Sequence, residues 1–251
     1  MLKGILLAGG TGSRLSPLTR ATNKHLLPVG RKPMILHPLG KLTEAGIEDI
    51  MVITGIEHAG SIVNLLGSGK EYGCKITYRV QDEAGGIAQA LGLCDAFAYG
   101  SKVCVILGDN IYEDSLVPFA EEYEKGPDGA MILLKEVPDA HRFGVATLSD
   151  DKTRVVKIVE KPKQPETALA VTGCYFYDHV AFQVVKTLKP SGRGELEITD
   201  VSNYYIECGK MRYKILSGQW TDAGTFDSLA RANNMVVSGA STPSGTFEKT
   251  P

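Results

Sequence analysis

The sequence lacks any apolar run approaching the roughly 20 residues a bilayer span needs, and it lacks an excess of either charge. It holds 27 Lys and Arg against 29 Asp and Glu, a formal net charge of −2 over 251 residues. The first absence excludes a membrane-spanning helix. The second, together with the absence of any basic stripe, excludes a general binder of nucleic acid or anionic membrane, so single basic residues must act locally. The five cysteines (Cys74, Cys94, Cys104, Cys174, Cys208) form no Cys-x-x-Cys pair, and the five histidines (His25, His37, His58, His141, His179) form no His-x-His or His-x-x-x-His. A zinc centre is therefore not expected, and the odd cysteine count fits reduced, mostly buried thiols. Residues 1–10 carry one Lys and reach Gly9 after an apolar run of strand length, unlike a secretory leader. These features point to a cytoplasmic, unprocessed chain, and no internal repeat is present.

What the chain does have is enough apolar sequence, 43% of residues, to bury a substantial core. In the first half, β-branched apolar runs at Leu2–Ala8, Ile50–Thr54, Ile76–Val80, Val103–Leu107 and Ala130–Leu134 alternate with helical periodicity at about 33–45, 59–67, 86–97 and 115–125. Pro33 is expected at the first position of its helix and Gly46 just past the end. Such alternation implies an α/β fold with a mostly parallel sheet and helices on both faces. Beyond residue 140, close-set strands at Gly144–Leu148, Val155–Glu160 and Ala170–Tyr177 suggest a strand-rich second lobe. Helices are expected at 178–188, 198–208 and 225–238, a strand at Arg212–Leu216, and a tail over 239–251 rich in Ser, Gly, Thr and Pro.

The first strand runs into Ala8-Gly9-Gly10-Thr11-Gly12-Ser13-Arg14, with Lys24 following. Glycines expose backbone N–H groups and cations neutralise oxygens, the combination a polyphosphate requires. Alone, Gly-Gly-x-Gly is equally well explained as a tight turn. Two standard alternatives fail. The dinucleotide fingerprint needs a third glycine where Leu15 stands, and the ATPase loop needs Gly-Lys-Ser or Gly-Lys-Thr, which occurs nowhere. Asp109 closes an apolar strand in Leu107-Gly108-Asp109-Asn110, where open α/β sheets gather ligands. A second acid, Asp222, precedes a helix that Thr225 is better placed to cap, which frees Asp222 for another task. Two carboxylates near a triphosphate suggest Mg²⁺, which takes one or two carboxylates and completes its shell with phosphate oxygens and water. Glu160-Lys161 reads as a weak surface pair unless other residues join it. Gly85-Gly86 opens a helix in a way that suits either a flat ring or tight chain packing.

In order along residues 3 to 235, the chain shows Gly-Ile-Leu-Leu-Ala-Gly-Gly-x-Gly-Ser-Arg-Leu, Lys-x-Leu-Leu-Pro-Val, Lys-Pro-Met-Ile, Gly-Gly-Ile-Ala-Gln-Ala, Leu-Gly-Asp-Asn, Glu-Lys-Pro, Thr-Gly-x-Tyr-Phe-Tyr-Asp, Gly-Glu-Leu-Glu-Ile-Thr-Asp and Trp-x-Asp-x-Gly-Thr. This series resembles the sugar-1-phosphate nucleotidylyltransferases, and within them the members that join dTTP to glucose 1-phosphate.

The resemblance implies a Rossmann-like nucleotide half over about 1–135 and a sugar-phosphate half over about 136–238. It implies that Leu7, Gly9, Gly10, Gly12 and Ser13 line the nucleotide loop, that Arg14 and Lys24 act on the phosphates, and that Gln81 and Gly86 meet the thymine edge. Asn110, Gly144, Glu160, Lys161 and Val171 would hold glucose 1-phosphate, and Asp109 and Asp222 would bind Mg²⁺. It also implies a homo-oligomer and a product that supplies deoxysugars, such as rhamnose, for surface polysaccharide. Ser13 replaces a frequent Thr, the Gln81–Gly86 loop lacks the prolines of longer members, and the chain stops where those members continue into a helical extension with an allosteric site. Two alternatives remain open on the residues alone: a UTP-using or relaxed-specificity relative, and a catalytically silent nucleotide-sugar sensor.

Overall fold

A computed structural model of the chain describes residues 1–239. The tail expected over 239–251 lies, beyond its first residue, outside the described residues. In chain order the first half contains β1 (Lys3–Ala8), a hairpin of β2 (Pro28–Val29) and β3 (Lys32–Pro33), α1 (Leu36–Glu44), β4 (Asp49–Gly55), α2 (Ala59–Leu66), β5 (Lys75–Gln81), α3 (Ile87–Gly92), α4 (Asp95–Ala98), β6 (Val103–Leu107), β7 (Asn110–Tyr112) and α5 (Val117–Lys125). The second half contains β8 (Ala130–Glu136), β9 (Gly144–Leu148), β10 (Val155–Glu160), β11 (Leu169–Tyr177), α6 (Val180–Val185), α7 (Ile198–Glu207), β12 (Met211–Ile215), β13 (Trp220–Asp222) and α8 (Phe226–Gly239).

Among the described residues nine strands form one sheet, ordered β10-β9-β11-β6-β1-β4-β5, with β8 paired to β11 and β12 paired to β8. β1 pairs in parallel with both β4 and β6, and β4 with β5. Next to β6 the direction reverses, because β11 inserts antiparallel between β6 and β8. The expected strand-rich second half is present, and its strands extend the central sheet instead of forming a sheet of their own. Both faces are covered, which is why the parallel strands read as continuous apolar runs. Ile5 and Leu7 of β1 join one core with Leu91, Phe182, Val201 and Tyr205 from α3, α6 and α7. Leu6 and Ala8 face the other, with Leu39, Leu42, Ile62, Leu66 and Tyr123 from α1, α2 and α5. Among the described residues no helix is long and apolar enough to cross a membrane.

Some elements depart from expectation. Pro33 lies in β3, paired with Pro28 across the hairpin, and the helix starts only at Leu36. The helix expected at 86–97 is two short ones, α3 and α4, broken near Gly92, where a Cβ would stand 2.9 Å from Val185 Cγ1 of α6. The strands β7 and β13 pair antiparallel in a separate two-stranded sheet that sets Asn110 opposite Asp222.

The parallel strands β1, β4, β5 and β6 point their carboxyl ends the same way, so the segments after them open on one edge. The antiparallel β11 begins at that edge, because Cys174 pairs with Ile106 near the end of β6. The antiparallel β10 returns there too and sets Glu160 beside Gly144. Topology alone thus gathers residues that are far apart in sequence.

Candidate active site

At that edge lies a cavity of about 350 Å³, within the usual range for a small-molecule site. Its wall includes Leu7, Gly9, Gly10, Arg14, Lys24, Gln81, Gly86, Asp109, Asn110, Gly144, Glu160, Lys161, Val171 and Asp222, all singled out from sequence. Gly12 and Ser13 are not part of it. Gly12 has φ +67°, and a Cβ there would stand 2.8 Å from Thr19 Cγ2 and 2.9 Å from Lys24 Cβ. It shapes the loop by adopting a left-handed turn, and Ser13 opens the short helical turn behind it.

Lys24 lies across Gly10, where a Cβ would meet Nζ at 3.3 Å, and its ammonium donates to Asp109 Oδ2 at 2.5 Å. Burial raises the Asp109 pKa, but the Lys24 charge and the hydrogen bonds from Lys24 and Asn110 outweigh it and hold the carboxyl well below its usual range. Asn110 is a hub. Its Oδ1 accepts from Trp220 Nε1 at 2.7 Å and from Gly173 N at 3.1 Å, while Nδ2 donates to Asp109 Oδ1 at 2.9 Å. One N–H of that amide therefore remains for a ligand.

Asp222 is buried at the end of β13. Arg142 Nη2 donates to both its oxygens, at 2.7 and 2.9 Å. Burial raises the Asp222 pKa and the Asp109 charge adds to this, against the pull of Arg142. Asp222 Oδ2, Asp109 Oδ2 and Arg14 Nη2 all lie within 3.5 Å of the point a Cβ on Gly224 would occupy, so the two carboxylates share one small region with Arg14. Helix capping makes no demand on Asp222: Ser228 N bonds Thr225 Oγ1 and Thr225 N bonds Ser228 Oγ, a reciprocal cap.

The other end of the cavity is set by Glu160, whose Oε2 accepts from Thr199 Oγ1 at 2.5 Å and whose Oε1 lies 3.5 Å from both Lys161 Nζ and Arg193 Nη2. Lys161 adopts φ +43°, an uncommon backbone state for a residue with a side chain. At the remaining corner, Gln81 Nε2 donates to Gln89 Oε1 at 2.7 Å and to the Gly86 carbonyl at 3.2 Å. The freedom of Gly86 (φ +97°) answers a chain contact: a Cβ there would stand 2.5 Å from the Leu196 carbonyl oxygen. Leu196 N donates to Gly85 O and Ala88 N to Leu196 O, which stitches segment 194–197 to the start of α3.

Sequence reasoning missed several members of the wall. Glu195 and Glu197 lie in the Gly194–Asp200 motif and Trp220 in the Trp-x-Asp motif, so a signal existed without a role. His25 occupies the variable position of Lys-x-Leu-Leu-Pro. It is buried, donates from Nδ1 to Asn23 Oδ1 at 2.7 Å, and its pKa is pushed down to about 3, first by burial and then by Lys24. The imidazole is therefore neutral. Arg142 gave no sequence signal at all.

A glycine loop flanked by Arg14 and Lys24, two convergent carboxylates and a second cationic corner thus share one cavity. The family model for nucleotidyl transferases matches residues 3–239. The chain belongs to the nucleotidyl transferase family. This nucleotidyl transferase is 44% identical to a glucose-1-phosphate thymidylyltransferase of Neisseria meningitidis over 94% of its own length and 82% of the relative's. It is 41% identical to a low-salt glycan biosynthesis nucleotidyltransferase of Haloferax volcanii, over 94% of the chain and 66% of that protein. A Bacillus anthracis structure assigned as a glucose-1-phosphate thymidylyltransferase, solved with sucrose, superposes with TM-score 0.91 and 54% identity over 98% of both chains. A UDP-glucose pyrophosphorylase bound to UDP-glucose, at 24% identity and TM-score 0.84 over 95% of this chain and 99% of its own, shares the fold.

Proposed function

We propose that this nucleotidyl transferase moves a thymidylyl group from dTTP to α-D-glucose 1-phosphate, giving dTDP-glucose and pyrophosphate. The observation that carries the reading is the single cavity with cations at both ends: Arg14 and Lys24 beside the glycine loop, and Lys161 beside Glu160 across from them. The relatives named for that activity supply the substrate pair. A phosphate monoester has a second pKa of about 6 and is largely dianionic at neutral pH, so the attacking oxygen needs no general base. Catalysis then reduces to alignment and neutralisation of charge. Lys161 aims the sugar phosphate, its oxygen attacks the α-phosphorus in line, and Arg14 and Lys24 take the charge of the departing pyrophosphate. Gln81 and Gly86 frame the base, and Asn110 Nδ2, Gly144, Glu160 and Val171 frame the sugar.

The carboxylate pair fits Mg²⁺. Both members are buried, both offer oxygen, and the Asp222 pKa is raised first by burial and further by the Asp109 charge. Mg²⁺ commonly takes one or two carboxylates and draws its other ligands from phosphates and water. Asp109 and Asp222 would hold it, and it would supply charge neutralisation on the triphosphate. We infer further that the enzyme works in the cytoplasm as a homo-oligomer and that its product enters deoxysugar synthesis for surface polysaccharide.

Pyrophosphate release measured over a panel of dTTP, UTP and other nucleotides with several sugar 1-phosphates tests the reading. The largest kcat/KM is expected for dTTP with glucose 1-phosphate. A preference for UTP would reassign the base, and nucleotide binding without any release would make the protein a sensor. Thymine differs from uracil by one methyl group, which supports about 1–3 kcal/mol of discrimination, and UTP also carries a 2′-hydroxyl that dTTP lacks, so dTTP should lead UTP by roughly tenfold or more.

A further inference from the structure

Among the described residues the charged lining of the cavity balances, five Lys or Arg side chains against five Asp or Glu. Three of its cations are committed to carboxylates: Lys24 to Asp109 at 2.5 Å, Arg193 to Glu197 at 2.7 Å and Arg142 to Asp222 at 2.7 Å. A site so paired has little free charge to offer a triphosphate, and its carboxylates have little to offer a metal. Binding must exchange partners.

Arg142 is built for that exchange. Its Nη1 is held separately by Asp139 Oδ2 at 2.7 Å, outside the carboxylate pair, and its guanidinium lies 5.0 Å from the centre of the Phe143 ring. That ring packs edge-on against Trp220, two residues before Asp222. When Nη2 lets go of Asp222, Asp139 and Phe143 keep the guanidinium at the cavity wall with donors turned to whatever enters.

We infer that Arg142 is the resident counter-ion of Asp222, displaced when a divalent cation binds and transferred to a substrate phosphate, so that metal and triphosphate each strengthen the binding of the other. The inference rests on the metal and nucleotide reading above. The two steps are linked because the metal releases the cation that the phosphate needs, and such coupling is reciprocal.

The test is Mn²⁺ binding followed by electron paramagnetic resonance, with and without dTTP and with no sugar phosphate present, so that no turnover occurs. Arg142→Gln should bind Mn²⁺ alone about tenfold tighter than wild type, and dTTP should then add correspondingly less, a change inside the usual span of coupled binding. Arg142→Lys, which cannot reach both carboxylates as a fork, should fall between the two and serves if the Gln variant does not fold. Arg231→Gln removes a neighbouring charge that touches Asp139, at 3.4 Å, but not Asp222, and should leave Mn²⁺ affinity near wild type. Unchanged or weaker Mn²⁺ binding in both Arg142 variants would overturn the inference, as would equal tightening in Arg231→Gln. If wild type binds no Mn²⁺ even with dTTP, the metal reading itself fails and the inference with it.

Discussion

Lys24 and Asn110 hydrogen-bond Asp109 and His25 lines the same cavity, and each contributes by a different physical route. Lys24 supplies charge, so Lys24→Ala should lower kcat by about a hundredfold or more, in line with an electrostatic contribution of roughly 3 kcal/mol. Steady-state rates on folded protein check this. Asn110 supplies hydrogen bonds that tie β7 to β11 and β13. Asn110→Ala leaves two buried donors without partners and should cost about 3 kcal/mol in denaturant unfolding. His25 supplies a neutral ring. Its pKa is about 3 when folded against 6.5 when free, so between those values the unfolded chain binds the extra proton and stability falls as pH falls. From pH 6.5 to pH 5 this amounts to about 2 kcal/mol, and His25→Gln should lose correspondingly less stability over that interval. Asp109, whose folded pKa is also lowered, acts in the same direction, but its stabilisation is full above its unfolded value of 3.8 and is lost only below it, so the two effects separate in pH. The carboxylates were legible in sequence because a strand end and an unneeded cap marked them. Arg142 was not, because a lone arginine carries no periodicity and its partner lies 80 residues further on.

The long α8 does for the glycine loop and the Lys24 segment what no single residue can. Ala232 of α8 packs with Leu15, Leu27, Val29 and Met34, and Asn233 Oδ1 accepts from Gly30 N at 2.9 Å, so α8 braces both ends of the segment that carries Lys24. Thr225→Ala removes its cap and should lower stability by about 1 kcal/mol, read as a reduced melting temperature. Elements of this kind were legible wherever a long apolar period or a β-branched run announced them, as in β1, β4, β6 and α8. The hairpin β2–β3 and the pair β7–β13 were not, because strands of two or three residues are too short to show alternation. Pro33 illustrates the cost of reading one residue: its fixed φ suits the first turn of a helix and an edge strand alike, and here the hairpin register decides. The insertion of β11 beside β6 was likewise invisible, since strand neighbours are chosen by tertiary packing and not by local pattern.

At the scale of the whole molecule, the main sheet and the separate β7–β13 pair bring the glycine loop after β1, Asp109 after β6, Asp222 on β13 and Glu160-Lys161 at the end of β10 to a single edge. The order of motifs foretold which residues would meet, while the means, a reversal of strand direction at β11, emerged only in three dimensions. The central claim is that this edge cuts a nucleoside triphosphate at its α-phosphorus. Turnover with dTTP labelled either at the α- or at the γ-phosphorus, in the presence of glucose 1-phosphate and Mg²⁺, tests it most directly. The α-label should appear in the nucleotide sugar and the γ-label in pyrophosphate. Release of the γ-label as inorganic phosphate, or an absence of α-label in any sugar product, would contradict the account.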